Sequence, residues 1–124
     1  MYGARTDMKL SVTAALFSIP LLAACGGSFP PPSERLATAE AAARSANELG
    51  AAKEPKAALH LKLAQEQIDQ AKALMKDGDN KRADLVLQRA GSDAELSVML
   101  AKENNASAEV QKAKERVNSI KSGR

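Results

Sequence analysis

Aromatic side chains are almost absent from this sequence, which has no Trp, one Tyr and two Phe among its 124 residues. Tyr2 and Phe17 stand near the start of the chain, so Phe29 is the only aromatic in the remainder. A core must therefore be built from Ala, Leu, Val, Ile and Met, and such a core is thin. Small side chains favour helices packed at close range over a globule built around a ligand cavity.

Cysteine and histidine each occur once, as Cys25 and His60. A single Cys cannot form an intramolecular disulfide, and Cys25 stands among Gly and Pro with no apolar core around it. His60 has no Cys, Asp or Glu at metal-ligand spacing, so we interpret it as a residue at the rim of a helix pair. The sequence contains no recognisable nucleophile–base pair, phosphate-binding loop or metal cluster. It therefore predicts a protein that is not an enzyme and needs no metal or cofactor.

Charge of one sign is not concentrated in any long run. The 18 Lys and Arg residues are interspersed with 15 Asp and Glu residues, and the formal net charge is +3. Nucleic-acid binding favours a basic face with stacking aromatics, and the sequence has neither. We expect a solvated helical surface and no nucleic-acid partner.

A long hydrophobic run is also missing, because the apolar run at 10–24 is short and is interrupted by Pro20. A membrane-spanning helix needs roughly 20 apolar residues. A mildly basic start, a short apolar run and small residues at its end have the layout of a signal peptide, which we predict at 1–24. An uncleaved membrane anchor is the alternative, and translation from Met8 instead of Met1 stays open.

The end of this run resembles the lipobox of bacterial lipoproteins. Its residues are Leu22, Ala23 and Ala24, directly before Cys25. The resemblance implies cleavage before Cys25 and a covalent lipid on its thiol, whose acyl chains anchor the protein to a membrane. Because Gly26 stands where an Asp would favour the inner membrane, the resemblance implies the periplasmic face of the outer membrane. The Gly- and Pro-rich segment 25–32 is then a tether.

Beyond the tether the pattern predicts an all-α helical domain at 33–103. We expect a first helix at 33–49 that ends before Gly50, because Gly readily adopts the left-handed conformation found after helices. Pro55, which is favourable in a first helical turn, begins a second helix that ends at Lys76. The segment Asp77-Gly78-Asp79-Asn80 is a turn, and a third helix follows it to about Ile120.

The second and third helices carry heptad seams. The second-helix seam is Ala57, Leu61, Ala64, Ile68, Ala71 and Met75, and the third-helix seam is Ala83, Leu87, Ala90, Ala94, Val98 and Ala101. A chain that folds back at Gly78 places Ala71 beside Leu87, and such large–small alternation allows two helices to interdigitate. We therefore predict an antiparallel hairpin, with the first helix packed on it as the third member of a bundle.

The third helix is predicted to run about 28 Å past the start of the second. This overhang, 104–124, carries an apolar stripe without a partner inside the chain: Ala106, Val110, Ala113, Val117 and Ile120. We predict that the stripe binds a periplasmic protein or a second copy. A frayed amphipathic end is the alternative, and contact between the basic residues of the overhang and peptidoglycan is another. Asn104-Asn105, poor helix formers, mark a candidate hinge.

The order of features after Cys25 resembles bacterial lipoproteins that carry domain of unknown function 4398, over about residues 30–103. The residues that carry the resemblance are Pro32, Glu34-Arg35-Leu36, Gly50-Ala51, Pro55, Gly78-Asp79 and Asp93-Ala94-Glu95-Leu96. The resemblance implies a helical, tetratricopeptide-like module of the cell envelope, and it supplies no catalytic residues. Where that family usually has an aromatic just before the proline, this chain has Lys53-Glu54.

Together these features lead to the hypothesis of a lipid-anchored cell-envelope protein that acts as a non-enzymatic adaptor or assembly module through its helical surfaces. The alternative is a self-associating structural spacer between the outer membrane and peptidoglycan. The two hypotheses differ in the partner of the overhang.

Overall fold

A computed structural model describes residues 28–123 of the chain, which form three α-helices. Helix α1 is Ser33–Glu48, α2 is Pro55–Lys76 and α3 is Asn80–Ser122, with a short 3-10 turn at Ala51–Lys53 between the first two. No strand occurs among the described residues, so the predicted all-α class is confirmed. The predicted signal peptide at 1–24, its lipobox and Cys25 lie outside the described residues.

The helix boundaries follow local backbone chemistry. Gly50 has φ of +83° after α1, and Gly78 has φ of +79° after α2, a backbone region that L-residues with a side chain rarely adopt. The Glu54 carboxylate accepts a hydrogen bond from the backbone N–H of Ala57, which caps α2 ahead of Pro55. Asp79 caps α3 in the same way by accepting from Arg82 N at 3.3 Å. The predicted turns are confirmed at both places.

The core consists mainly of alanine. The α2–α3 contact is the most extensive, and α1 packs against both helices and more extensively against α3. Most buried side chains in all three helices are Ala, and the largest that are fully buried are Leu87 and Ser97. Because Ala side chains are short, the helix backbones approach closely, and a core of this kind leaves little room for an enclosed ligand cavity.

One position of the predicted α3 seam is wrong. Ser97 is fully buried, whereas Val98 is only partly buried at the edge of the core. The Ser97 hydroxyl donates a hydrogen bond to the backbone carbonyl of Ala57 at 2.8 Å, so this polar side chain is satisfied inside the bundle. The buried residues of α3 alternate at spacings of four and three through Ser97, and the predicted seam departed from that alternation at Val98, where an apolar residue follows a polar one.

Ion pairs join α1 to the two longer helices. Arg35 Nε lies 2.6 Å from Asp84 Oδ1 on α3, and Lys72 Nζ on α2 lies 2.6 Å from Glu40 Oε1. The hydrogen bond to Glu40 raises the pKa of Lys72 above its ordinary value, so the Lys72 ammonium is protonated at neutral pH. Both pairs are partly exposed, and each contributes about 1 kcal/mol or less to stability.

Two hydrogen bonds locate the ends of the bundle. The side-chain amide of Asn80 donates to the backbone carbonyl of Phe29 at 2.9 Å, which holds the start of the described chain at the Gly78 turn. At the other end, the side-chain amide of Asn105 donates to the carbonyl of Leu49 at 3.0 Å. The described chain therefore begins at one end of the bundle, and α3 leaves at the other.

None of the helices within residues 28–123 combines the length and apolar character needed to cross a membrane.

Candidate functional site

Helix α3 extends well beyond the bundle. Ala101 is its last buried residue, and all residues from 102 to 123 are exposed. We define the projecting segment as 102–122, the part of α3 that follows Ala101. With a rise of about 1.5 Å per residue, it is about 30 Å long. The predicted overhang is therefore present as a continuous helix.

The predicted hinge at Asn104-Asn105 is wrong, because α3 continues through both residues without a break. The Asn105 side chain is directed to the Leu49 carbonyl at the end of α1. The last carbonyls of a helix lack partners within that helix. Asn105 has a low helix propensity, but its side chain connects the end of α1 to α3.

The predicted apolar stripe lies on the projecting segment. Val110 is 52% exposed, Val117 is 49% exposed and Ile120 is 68% exposed. Val110, Ala113 and Val117 lie next to one another on one side of this helix, with Lys114 and Asn118 beside them. Ala106 is exposed on the same segment. The structure thus leaves all five predicted partner-binding residues without cover from the described part of the chain.

The stripe continues onto the bundle, which the sequence reasoning missed. Met99 is 68% exposed and Leu96 is 39% exposed, although both precede the projecting segment. Met99 stands seven positions before Ala106, and Leu96 stands fourteen before Val110, so both follow the heptad of the stripe. That spacing was the signal available in the sequence. We define the outer face of α3 as the face that carries Leu96, Met99 and the stripe.

The outer face points away from the other two helices. The buried positions of α3 include Ala94 and Ala101. With a turn of about 100° per residue, the stripe is centred roughly 140° around α3 from those positions. A partner helix can therefore lie along α3 without displacing α1 or α2.

Charged side chains run beside the outer face with a regular order of sign. Glu95, Lys102, Glu109 and Arg116 follow one another at intervals of seven, so they form one edge of the face with alternating charge. None of these four side chains forms an ion pair with another residue in the range 28–123. They remain available for pairing across an interface.

The basic residues of the projecting segment do not share one face. They spread over an arc of about 200° on the side of the stripe, bounded by Lys112 and Lys114, and Glu109 lies on the same arc. Contact with an anionic polymer would favour cations gathered on one face. The arrangement suits an edge-to-edge helix contact better than a broad anionic surface.

The sole histidine has a partner that local spacing did not reveal. His60 Nδ1 on α2 lies 2.8 Å from Asp93 Oδ1 on α3, and Gln67 Nε2 donates to Asp93 Oδ2 at 2.8 Å. The His60 and Asp93 side chains are both partly exposed, which places the pair at the rim of the α2–α3 contact. No group of three His, Cys, Asp or Glu side chains within residues 28–123 is arranged to hold a metal ion. The cluster links two helices.

Most of the described chain matches a known family. A family model described as a domain of unknown function (DUF4398) matches residues 34–113, which include most of the bundle and about the first half of the projecting segment. No curated protein and no solved structure matches the chain.

Proposed function

The chain belongs to the family of domain of unknown function 4398, and we propose that it is a non-enzymatic, lipid-anchored protein of the cell envelope that binds a protein partner through the outer face of α3. Its place would be the periplasmic face of the outer membrane, with acyl chains on Cys25 as the anchor. The proposal treats the bundle as a support that holds one helix in position for binding.

The projecting segment is the observation that carries this proposal. A single solvated helix of this length gains little stability from its own hydrogen bonds, and most helices in proteins are stabilised by packing of an apolar face. Here the apolar face exists, with Val110, Val117 and Ile120 about half exposed or more, and the described residues leave it uncovered. A protein partner that supplies a second apolar surface would bury it.

The position of the anchor supports the same proposal. Cys25 lies four positions before Phe29. Fully extended chain covers this separation with a reach of about 14 Å at most. The Phe29 carbonyl is hydrogen-bonded to Asn80 at the Gly78 end of the bundle. The projecting segment leaves the opposite end, so a lipid on Cys25 would not obstruct it.

The spacer hypothesis has less support. A spacer that reaches peptidoglycan needs a surface for an anionic polymer, and the cations of the projecting segment lie on both sides of the apolar stripe with Glu103 and Glu109 among them. Self-association alone does not require such a surface. We therefore favour protein binding over contact with peptidoglycan.

Photocrosslinking in the native cells tests the proposal on the full chain. A photoreactive amino acid is placed at Val110, and in a matched variant at Glu115, which lies on the opposite side of α3. We expect a discrete crosslinked protein from position 110 and little from position 115. Equal crosslinking at the two positions, or none at 110, would contradict a binding role for the outer face.

A further inference from the structure

We propose that the partner of the outer face is a second copy of this chain, paired antiparallel so that Met99 lies beside the partner's Val110. This inference rests on the proposed function, because it names the occupant of the same surface. Each projecting segment then packs along the outer face of the partner's α3, and the two-fold axis passes close to Asn104.

Apolar complementarity favours this pairing. In an antiparallel pair, core positions of one helix alternate with those of the other. With Met99 opposite the partner's Val110, the same register places Leu96 opposite the partner's Ala113. Large residues then face medium or small ones, as in closely packed helices. The pairing covers the two exposed residues on the bundle together with the stripe. Val117 then faces the partner's Ser92, and Ile120 packs on the apolar stem of the partner's Arg89.

The charged edge supplies the second argument. In this register Lys102 lies opposite the partner's Glu109, and Glu95 lies opposite the partner's Arg116. Two-fold symmetry repeats each pair, so the dimer has four attractive pairs along this edge. The alternation of sign at intervals of seven is what makes every one of them attractive. Flanking charges of this kind select both orientation and register in helix pairs.

Antiparallel registers shifted by one heptad are electrostatically worse. A shift of one heptad in one direction places Glu109 opposite the partner's Glu109, and a shift in the other places Lys102 opposite the partner's Lys102. Like charges directly across an interface oppose association. A shift of two heptads toward the free ends restores attraction between Glu109 and the partner's Arg116, but it leaves Leu96 and Met99 uncovered.

A parallel pair is also disfavoured. It would place Glu103, which occupies a core position of the heptad, against the same residue of the partner. It would also bring Arg116 near the partner's Lys121, and this repulsion offsets the attraction between Glu109 and the partner's Lys114. The antiparallel pair instead places Glu103 opposite the partner's Ala106, where its carboxylate can reach solvent at the edge.

The proposed overlap covers residues 89–120 of each chain, about 46 Å of helix or more than four heptads. Helices α1 and α2 lie on the far side of α3 and do not enter the contact. The dimer is therefore a rod, and each copy places its Gly78 turn and Phe29 at one tip. The two Gly78 turns are about 80 Å apart. Two copies anchored in the same membrane would place this rod along the membrane surface.

A charge exchange tests the register. Lys102→Glu or Glu109→Lys alone turns two attractive pairs into two repulsive ones. We therefore expect the association constant of the dimer to fall roughly tenfold. The double variant Lys102→Glu/Glu109→Lys restores both pairs, so dimerisation should return to within about twofold of wild type. Glu115→Lys, the matched control on the opposite side of the helix, should have no effect. These side chains are exposed, so the bundle stays folded in every variant.

Photocrosslinking of the full chain in its native cells provides the readout. A photoreactive residue at Met99 should form a dimer whose amount follows the series of charge variants. In the chain with native charges, trypsin should release the crosslink between the peptide that contains position 99 and the peptide 103–112 of the partner, which contains Val110. A crosslink between two copies of the peptide that contains position 99 would indicate a parallel pair and would overturn the proposal.

The other outcomes separate this inference from the proposed function. A discrete crosslink from positions 99 and 110 to a different protein, without a dimer, would refute the second copy and leave the binding role of the outer face intact. No crosslink from either position would refute both. Failure of the double variant to restore dimerisation would refute the register.

Discussion

The side-chain amide of Asn105 donates a hydrogen bond to the backbone carbonyl of Leu49 at 3.0 Å, and this contact marks where the three-helix bundle ends. On one side of the contact, α1 and α2 cover one face of α3. Beyond it, α3 continues alone to Ser122. The contact joins the end of the shortest α-helix to the longest one, 56 positions later in the chain.

The first prediction concerns this contact and uses the neighbouring Asn104 as its control. Ala is a better helix former than Asn by about 0.6 kcal/mol, so Asn104→Ala should stabilise the fold by about that amount. Asn105→Ala has the same gain in helix propensity but loses the hydrogen bond to the Leu49 carbonyl. It should therefore be about 1 kcal/mol less stable than Asn104→Ala. Urea unfolding followed by circular dichroism measures the difference. Equal stability of the two variants would show that the bond contributes nothing.

A second prediction compares two glycines of opposite role. Gly78→Ala should destabilise the protein by about 1 kcal/mol, because φ of +79° is unfavourable for Ala at the end of α2. Gly91→Ala should stabilise it by about 0.5–1 kcal/mol, because Gly91 lies inside α3 and an added Cβ meets no atom within 4 Å. Thermal unfolding should move in opposite directions for the two variants, and a shift of the same sign would contradict the assignment.

A third prediction tests the buried serine of α3. Ser97→Ala should cost about 1 kcal/mol through loss of the hydrogen bond to Ala57. Ser97→Leu should cost about 1–3 kcal/mol or more, because the fully buried site is filled and a larger side chain must displace its neighbours. Val98→Leu, one residue away at the partly exposed edge, is the control and should change stability by less than about 1 kcal/mol. Chemical denaturation ranks the three variants, and a Val98 variant worse than Ser97→Leu would restore Val98 to the seam.

A fourth prediction separates binding from folding. Val110→Asp and Val117→Asp lie on the projecting segment, about half exposed, so each should change the free energy of unfolding of the monomer by less than about 0.5 kcal/mol. The same variants place a charge on the apolar stripe and should abolish crosslinking from position 99. Leu87→Ala, in the core, should show the reverse pattern: a loss of about 2–5 kcal/mol with the outer face of α3 unchanged. A large loss of stability in the Val110 variant would mean that the stripe belongs to the fold.

A fifth prediction addresses the proposed lipid anchor on Cys25. Cys25→Ser should abolish labelling by radioactive fatty acid and release the protein from the membrane fraction, because the hydroxyl does not replace the thiol as the acceptor of the lipid. Ser28→Ala is the matched control and should stay lipidated and membrane-bound. Fatty-acid label retained in the Cys25 variant would refute lipidation at this position.

Local chemistry explains why so much of the fold could be predicted from the sequence. Gly50, Pro55 and Gly78 act through their own backbone preferences, so the helices begin and end close to where the pattern places them. Alternation of Ala with Leu and Ile along two segments was enough to predict an antiparallel pair. The apolar stripe from Ala106 to Ile120 also follows from spacing alone.

Positions that depend on contacts between distant segments were not predictable in this way. The heptad spacing alone places Ser97 in the core, but a buried Ser needs a hydrogen-bond acceptor, and the Ala57 carbonyl that accepts from it is supplied by α2, 40 positions away in the chain. The pairing of His60 with Asp93, 33 positions away, arises only when the hairpin closes. The role of Asn105 depends in the same way on where α1 ends.

The sequence by itself therefore determined the class, the helix boundaries and the existence of a free apolar stripe, because each depends on residues close together in the chain. Only the tertiary structure decided which way the stripe faces and that it extends through Met99 and Leu96 onto the bundle. The physical reason is that the direction of a helix face is set by the helices packed against it. Three helices leave one side of α3 open, and its charged edge and apolar residues lie along that side.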